Sequence, residues 1–460
     1  MTKQNINQAR RQALGLGLRA SMLGGLASMG LLPGAAQAAV TDYKALVCVY
    51  LFGGNDGNNM LLPLDAAHQA LYQQVRGNSS IGLSQSAKTL LGTRTCTLQS
   101  TATPVEQPFA FHYGMTELDA LFAEGKLASL LNVGSLSRPT SKADYQAGRN
   151  LPPQLFSHSD QQLQMQAGSP AVSGAGWGGR LMDLLSTGGD LDAVATSNGG
   201  LFIEGQNTHG NLLPSDGQLS MNGMNFWPDS AAAARRNALV KILRADHGNV
   251  LDNAANKALS NGIDLIADLQ AANQNGALQT VFPGTDLARQ LKTVAQLIKR
   301  RAAQGPGRQV YFVAQGGYDT HGGQSWQQFD CLSKLSAALA AFYRATQEIG
   351  VANQVTSFTL SDFGRSFQPN SGGTDHGWGN HHLILGDAVN GGNLFGRFPD
   401  FTLGGADDAS GRGVWIPQFS IQQYGATLGK WFGLDNATLD QQVFKGELSR
   451  FALQDLGFMK

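Results

Sequence analysis

Three short loops hold the residues best suited to bind a metal ion. GGNDGNNM places Asp56 just after an apolar run, QGGYDTHGGQ places Asp319 and His321 after another, and SDFGR places Asp362 and Arg365 after a third. In an extended segment residues two apart project to the same side, so the Asp319 carboxylate and the His321 imidazole can converge on one ion. A fourth stretch, GGTDHGWGNHH, adds Asp375, His376, His381 and His382. His381 and His382 are adjacent at the start of a strand and must face opposite ways, so only one can join a given site. His376 sits in the glycine-rich part and is free to fold back over it.

The chemistry these residues suit is metal-assisted hydrolysis. Carboxylates neutralise a divalent ion, and imidazole suits borderline metals such as zinc or manganese. Two such ions can stabilise both the attacking and the leaving oxygen of a phosphate ester. Arg365 is either a planar, two-point clamp for a tetrahedral oxyanion or a structural partner of a neighbouring Asp. Each loop also has a plainer reading. Asn55-Asp56-Gly57 is an ordinary turn sequence, and Asp362 could cap a helix starting near Gly364.

The elements that must carry these loops are legible as apolar runs. ALVCVYLF (45–52), LASLLNVGSL (127–136), QVYFVA (309–314), VTSFTL (355–360) and HHLILG (381–386) read as strands buried on both faces. Residues 115–126, 285–303 and 326–348 carry apolar positions at helical spacing. Alternating strands and helices predict an α/β sandwich with a mostly parallel sheet, where ligands bind outside the carboxyl ends of the strands. Residues 190–284 mix Gly/Asn-rich loops with an Ala-rich helix around SAAAARRNALVKILRA. No buried strand is evident there, which predicts an insertion or cap.

Composition narrows the function classes. Formal charge is zero at pH 7, and no basic stripe is present, so nucleic acid is not an expected partner. Charged residues are only 14% of the chain and glycines number 58, as in a loop-rich exported protein. Three cysteines, Cys48, Cys96 and Cys331, are too few for a disulfide framework; pairing of Cys96 with Cys331 is left open. At the N-terminus, Arg10-Arg11 precedes a Gly/Ala/Leu-rich segment interrupted by Arg19 and Pro33, and Ala36-Gln37-Ala38 fits a cleavage site. Residues 1–38 are therefore expected to be a cleaved signal for the twin-arginine export machinery. The mature chain, 39–460, is expected to be periplasmic or secreted, with no membrane span.

The order FGGNDGNN, a central Ser-His pair, GGYDTHGGQ, then SDFGR and GTDHGWGN resembles the bacterial family catalogued as domain of unknown function 1501. That family is grouped with the alkaline phosphatase/sulfatase superfamily, and the resemblance covers nearly the whole mature chain. It implies an alkaline-phosphatase-like three-layer α/β sandwich with a metal site at the strand ends. It also implies one or two divalent ions held by Asp56, Asp319, His321, Asp362 and either His376 or His381. Ser157, with His158 beside it, would be the nucleophile at the start of a helix, and Arg365 would steady the oxyanion. Ser157 is equally a helix cap.

Two features depart from the superfamily pattern. Phe363 follows Asp362 where a His is usual, and the spacing from Asp319 to His321 is tight. The expected function is an exported, metal-dependent hydrolase of phosphate or sulfate esters, small-molecule or polysaccharide. The alternative is a non-catalytic exported binding or assembly protein that keeps the fold.

Overall fold

In this computed structural model the described residues are 40–83, 94–98, 105–172, 174–187, 191–197, 199–216, 228–245 and 277–460, with scattered positions between 248 and 263. The expected signal segment, 1–38, lies outside them.

The strands in chain order are β1 (Tyr43–Leu51), β2 (Leu61–Pro63), β3 (Arg94–Leu98), β4 (Val105–Phe111), β5 (Leu127–Gly134), β6 (Ala193–Ala195), β7 (Asn211–Leu212), β8 (Gly307–Gln315), β9 (Val355–Ser361), β10 (Arg365–Pro369), β11 (Thr374–His376), β12 (Asn380–Leu385), β13 (Leu394–Phe395) and β14 (Phe419–Ser420). One large sheet runs β2-β4-β3-β13-β5-β12-β9-β1-β8-β6-β7, with β14 also on β5, while β10 and β11 form a separate ribbon. β9, β1, β8, β6 and β7 are parallel neighbours. β12 runs antiparallel between β9 and β5, and β4 antiparallel between β2 and β3. The fold is thus mixed α/β with a mostly parallel central sheet.

Alternation along β1 shows why the sheet is buried on both faces. Val47, Val49 and Leu51 join one apolar core with Tyr311 and Val313 of β8; Leu46, Cys48 and Tyr50 join a second core with Val310 and Phe312. Successive side chains of a strand point to opposite faces, so a continuous apolar run needs helices on each. Relevant helices are α1 (Gly57–Met60), α2 (Thr116–Ala123), α3 (His158–Ala167), α4 (Trp177–Leu185), α5 (Asp229–Leu243), α6 (Asp286–Ala302), α7 (Gln324–Ile349) and α8 (Ile421–Phe432). Side chains of α2, α6 and α7 fill the first core, and those of α4 and α8 fill the second.

Residues 40–460 form one compact unit. The expectation that 190–284 lacks a buried strand is corrected: Ala193–Ala195 is fully buried and extends the sheet beside β8. Three residues are too few to show a period, which hid it in the sequence. All three cysteines are free. No helix of the described residues is long and apolar enough to cross a membrane.

Candidate metal centre

Four elements deliver side chains to one point outside the carboxyl ends of β8 and β9. The loop from β8 to α7 carries Asp319 and His321, Asp362 follows β9, His376 ends β11, and His158 opens α3. The β10–β11 ribbon sets Arg365 opposite His376.

His158, Asp319 and His376 present ligand atoms that all lie within 4.8 Å of one another. His321 stands beside this group, next to two of its three members. Its Nε2 is 3.1 Å from Asp319 Oδ1 and 3.1 Å from His376 Nε2, while His376 Nε2 is 3.5 Å from Asp319 Oδ1. His158 Nε2 approaches the other carboxylate oxygen at 3.5 Å. Ligand atoms of a tetrahedral zinc ion with bonds near 2.0–2.1 Å stand roughly 3.3 Å apart, so His158, Asp319 and His376 need to close in only slightly to hold one ion.

The outer ring nitrogens strengthen that fit. His158 Nδ1 donates to Asp362 Oδ2 at 2.7 Å, and His376 Nδ1 donates to the Phe156 carbonyl at 2.8 Å. His321 Nδ1 faces Asp375 Oδ1 at 3.4 Å. Carbonyl and carboxylate oxygens only accept, so His158 and His376 carry their protons on Nδ1 and, when neutral, turn bare Nε2 lone pairs inward. Metal-bound histidines are oriented in this way, by an acceptor on the far nitrogen. His158 Nε2 is buried and has no hydrogen-bond partner, as expected of an atom that awaits a ligand. Without an ion, the close approach of His321 and His376 requires a proton on His321 Nε2. Moving that proton to Nδ1, toward Asp375, would leave three bare nitrogens around one carboxylate.

The electrostatics are divided. The hydrogen bond from His158 to Asp362 raises the His158 pKa, with burial opposing it. Burial lowers that of His376. Burial pushes the Asp319 carboxyl up, but the hydrogen bond and charge of Arg365 outweigh it and hold the group below the usual range.

Two aromatic residues fix the rings. Phe363 packs at a tilt against both His158 and His376, with centroids 4.8 and 4.7 Å away. Phe156 adopts φ +73°, rare for a bulky residue, in the segment that aims its carbonyl at His376.

Several expected site residues stand elsewhere. Asp56 is 2% exposed and paired with Arg76 at 2.7 and 3.2 Å; Gln324 Nε2 donates to the same carboxylate at 2.6 Å. A carboxylate so fully engaged has no room for an ion, and its role is structural. Asp362 stands behind His158 and does not join the inner group. It also accepts from Gly53 N at 3.1 Å and Gln162 Nε2 at 2.9 Å.

His381 is buried away from the group, its Nδ1 accepting from Asn132 N at 3.0 Å, with burial pushing its pKa down to about 4. Arg365 is the structural partner and not a free clamp. Its guanidinium is buried and spent on Asp319 Oδ1 (2.7 Å), Gly53 O (3.2 Å), Thr374 Oγ1 (3.2 Å) and the Thr374 carbonyl. Ser157 is the N-cap residue of α3, yet its Oγ caps no backbone N–H and donates to Asp160 Oδ2 at 2.5 Å.

Sequence reasoning missed Arg76, which sits in LYQQVRGNSS with no motif around it. It did not place Asp375 behind His321, and it read His158 as catalytic where the structure sets it within the candidate metal group. The adjoining Ser-His pair drew attention to the hydroxyl.

The family described as "Protein of unknown function (DUF1501)" matches residues 43–426. The chain belongs to this family. No curated protein matches the DUF1501 chain. Among solved structures it is similar to the lipoteichoic acid synthase LtaP from Listeria monocytogenes, with TM-score 0.36 and 7% identity over 87% of this chain and 76% of that one. It is also similar to the phosphonate monoester hydrolase of Agrobacterium radiobacter, with TM-score 0.32 and 10% identity over 85% and 74%. A third is the PsFucS1 sulfatase from Pseudoalteromonas sp., with TM-score 0.32 and 10% identity over 91% and 73%. Likenesses this distant carry no chemistry across, and the DUF1501 site is read from its own atoms.

Proposed function

We propose that this protein is an exported, metal-dependent hydrolase of phosphate or sulfate esters, built around one divalent ion held by His158, Asp319, His321 and His376. The observation that carries the reading is the convergence of three Nε2 atoms on the Asp319 carboxylate, with an acceptor facing each Nδ1. Three imidazoles and a carboxylate suit zinc and its transition-metal neighbours better than magnesium or calcium, which prefer all-oxygen sets. With Asp56 and His381 committed elsewhere, the residues argue for one ion, not two.

When bound, the ion would supply Lewis-acid polarisation of an ester oxygen. The chain's own groups supply the remainder. Ser157 immediately precedes His158, at the positive end of α3, where a developing alkoxide or oxyanion is favoured. Asp160 accepts the Ser157 hydroxyl proton in a hydrogen bond and is placed to take it as attack begins. Arg365 holds Asp319 in place. Residues 1–38 would be removed on export, leaving 39–460 in the periplasm or outside the cell.

One observation favours the non-catalytic alternative: four of the five Arg365 N–H donors are used inside the protein, and the one left cannot make a two-point clamp on an oxyanion. Turnover of 4-nitrophenyl phosphate and 4-nitrophenyl sulfate by zinc- or manganese-loaded protein separates the two. Hydrolysis of either ester that is lost in His376→Ala supports the hydrolase. Stoichiometric metal binding with no turnover of either supports a structural ion in a binding protein.

A further inference from the structure

A second feature lies at the carboxyl end of β8, on the side facing α6. Two cavities of about 760 and 630 Å³ share Asp286, Ala314 and Gly316 in their walls, so they adjoin and are treated together as one cleft. The larger is lined by Thr196, Ser197 and Ser215, the smaller by Gln315, Trp326 and Gln327. Gly316 and Gly317, which begin the loop to Asp319 and His321, form part of the wall. Cleft and candidate metal centre therefore share a loop.

Two independent observations point to a ligand. Thr196 Oγ1, Ser197 Oγ and Gln315 Oε1 are buried atoms without hydrogen-bond partners, and all three belong to residues lining this cleft. Buried polar atoms are normally satisfied, so these hidden orphans would gain partners by turning their side chains toward a hydrogen-bonding molecule in the cleft. The other observation is Trp326, 67% exposed at the mouth of the smaller cavity. Among the described residues Trp326 and Phe329 are the only aromatics among the large exposed apolar side chains, and they stand three apart on the first turns of α7. Phe329 stacks on Tyr113 with centroids 4.9 Å apart.

We infer that the cleft binds a neutral glycan chain. A pyranose presents a C–H face to the negative face of an indole and hydroxyls to its surroundings. Hydroxyl groups both donate and accept, so they can satisfy Thr196, Ser197 and Gln315 alike. Two adjoining cavities of this size have room for several linked rings. The carboxylates on its walls are matched locally, Asp286 by Arg289 at 3.0 Å and Asp330 by Lys334 at 2.5 Å, so no unpaired charge there calls for an ionic ligand. An apolar protein partner would leave the orphaned oxygens unsatisfied and bury the charged rim, from which interface cores are depleted.

Binding here is independent of whether the metal centre hydrolyses an ester, so the test reads binding alone. Mature protein is titrated with cellohexaose, laminarihexaose and chitohexaose by calorimetry and saturation-transfer NMR. At least one should bind. Trp326→Ala should weaken it by about tenfold or more, the scale of losing one stacking anchor. Thr196→Val should weaken it several-fold while the thermal midpoint stays the same or rises, because the lost hydroxyl had no partner to forfeit. Neither substitution should alter metal content. If none of the three sugars binds at millimolar concentration, or if both variants bind as wild type does, the proposal fails. An apolar dye, anilinonaphthalene sulfonate, captured at Trp326 with no sugar bound would assign the face to an apolar partner and overturn it as well.

Discussion

Asp56 and Arg76 grip each other in the protein interior through two hydrogen bonds, at 2.7 and 3.2 Å, with both side chains essentially unexposed. The pair anchors a buried chain of contacts. Gln324 links Asp56 to the Thr374 hydroxyl at 2.6 and 2.7 Å, Thr374 Oγ1 accepts from Arg365 at 3.2 Å, and Arg365 holds Asp319. A residue that the sequence suggests as a ligand thus reaches the site only through its neighbours.

Asp56→Ala should therefore act on stability before it acts on metal. Removing one partner strands the other charge in the interior, at a cost of about 3–5 kcal/mol. Urea unfolding should show that loss, while the protein that remains folded still takes up its ion. Unchanged stability with metal lost would restore Asp56 as a ligand.

Phe363→Ala tests the packing behind His158 and His376. Truncating a buried aromatic costs about 3–5 kcal/mol, and here it also frees two rings to rotate. Zinc affinity should fall more than in a control truncation at Phe312, a buried core ring on β8 outside the metal group. Equal affinity in the two variants would mean that Phe363 is simply core.

Acid should destabilise the fold through its buried, neutral histidines. Burial lowers His112 and His381 to about 4 and His382 to about 3, against an ordinary value of 6.5. Between those values the unfolded chain binds the extra protons, so stability is complete above about pH 6.5 and falls as pH drops toward 4 and 3. His382 is fully buried against Tyr424, with neither ring nitrogen hydrogen-bonded. His382→Phe should therefore flatten the slope of unfolding free energy between pH 6.5 and 4. An unchanged slope would show that His382 does not carry it.

Ser157→Ala separates nucleophile from helix start. The hydroxyl caps no backbone group, so its removal should cost well under 1 kcal/mol of stability. Ester turnover should drop by at least about a hundredfold if Ser157 attacks. Full turnover in the variant would leave attack to water.

The fold was readable because buried strands announce themselves as apolar runs, and each of the five anticipated runs is a strand of the main sheet. The position of Asp319 and His321 was readable for a related reason, since polar residues directly after such strands fall at one edge of the sheet. Neighbours distant in sequence were not. Nothing local ties Arg76 to Asp56, Asp375 to His321, or the Phe156 carbonyl to His376, because each pairing is made by tertiary packing. The two adjacent histidines misled for the same reason. Both lie inside, His381 on the Asn132 amide and His382 beside Tyr424, and neither meets the candidate metal group.

The central claim rests on metal content. Mature protein dialysed against zinc or manganese and then freed of excess should retain close to one ion per chain by elemental analysis. Asp319→Ala and His376→Ala should each lose it while keeping the far-ultraviolet circular dichroism of the parent. A parent protein that retains no divalent ion, or variants that retain as much as the parent, would contradict the account.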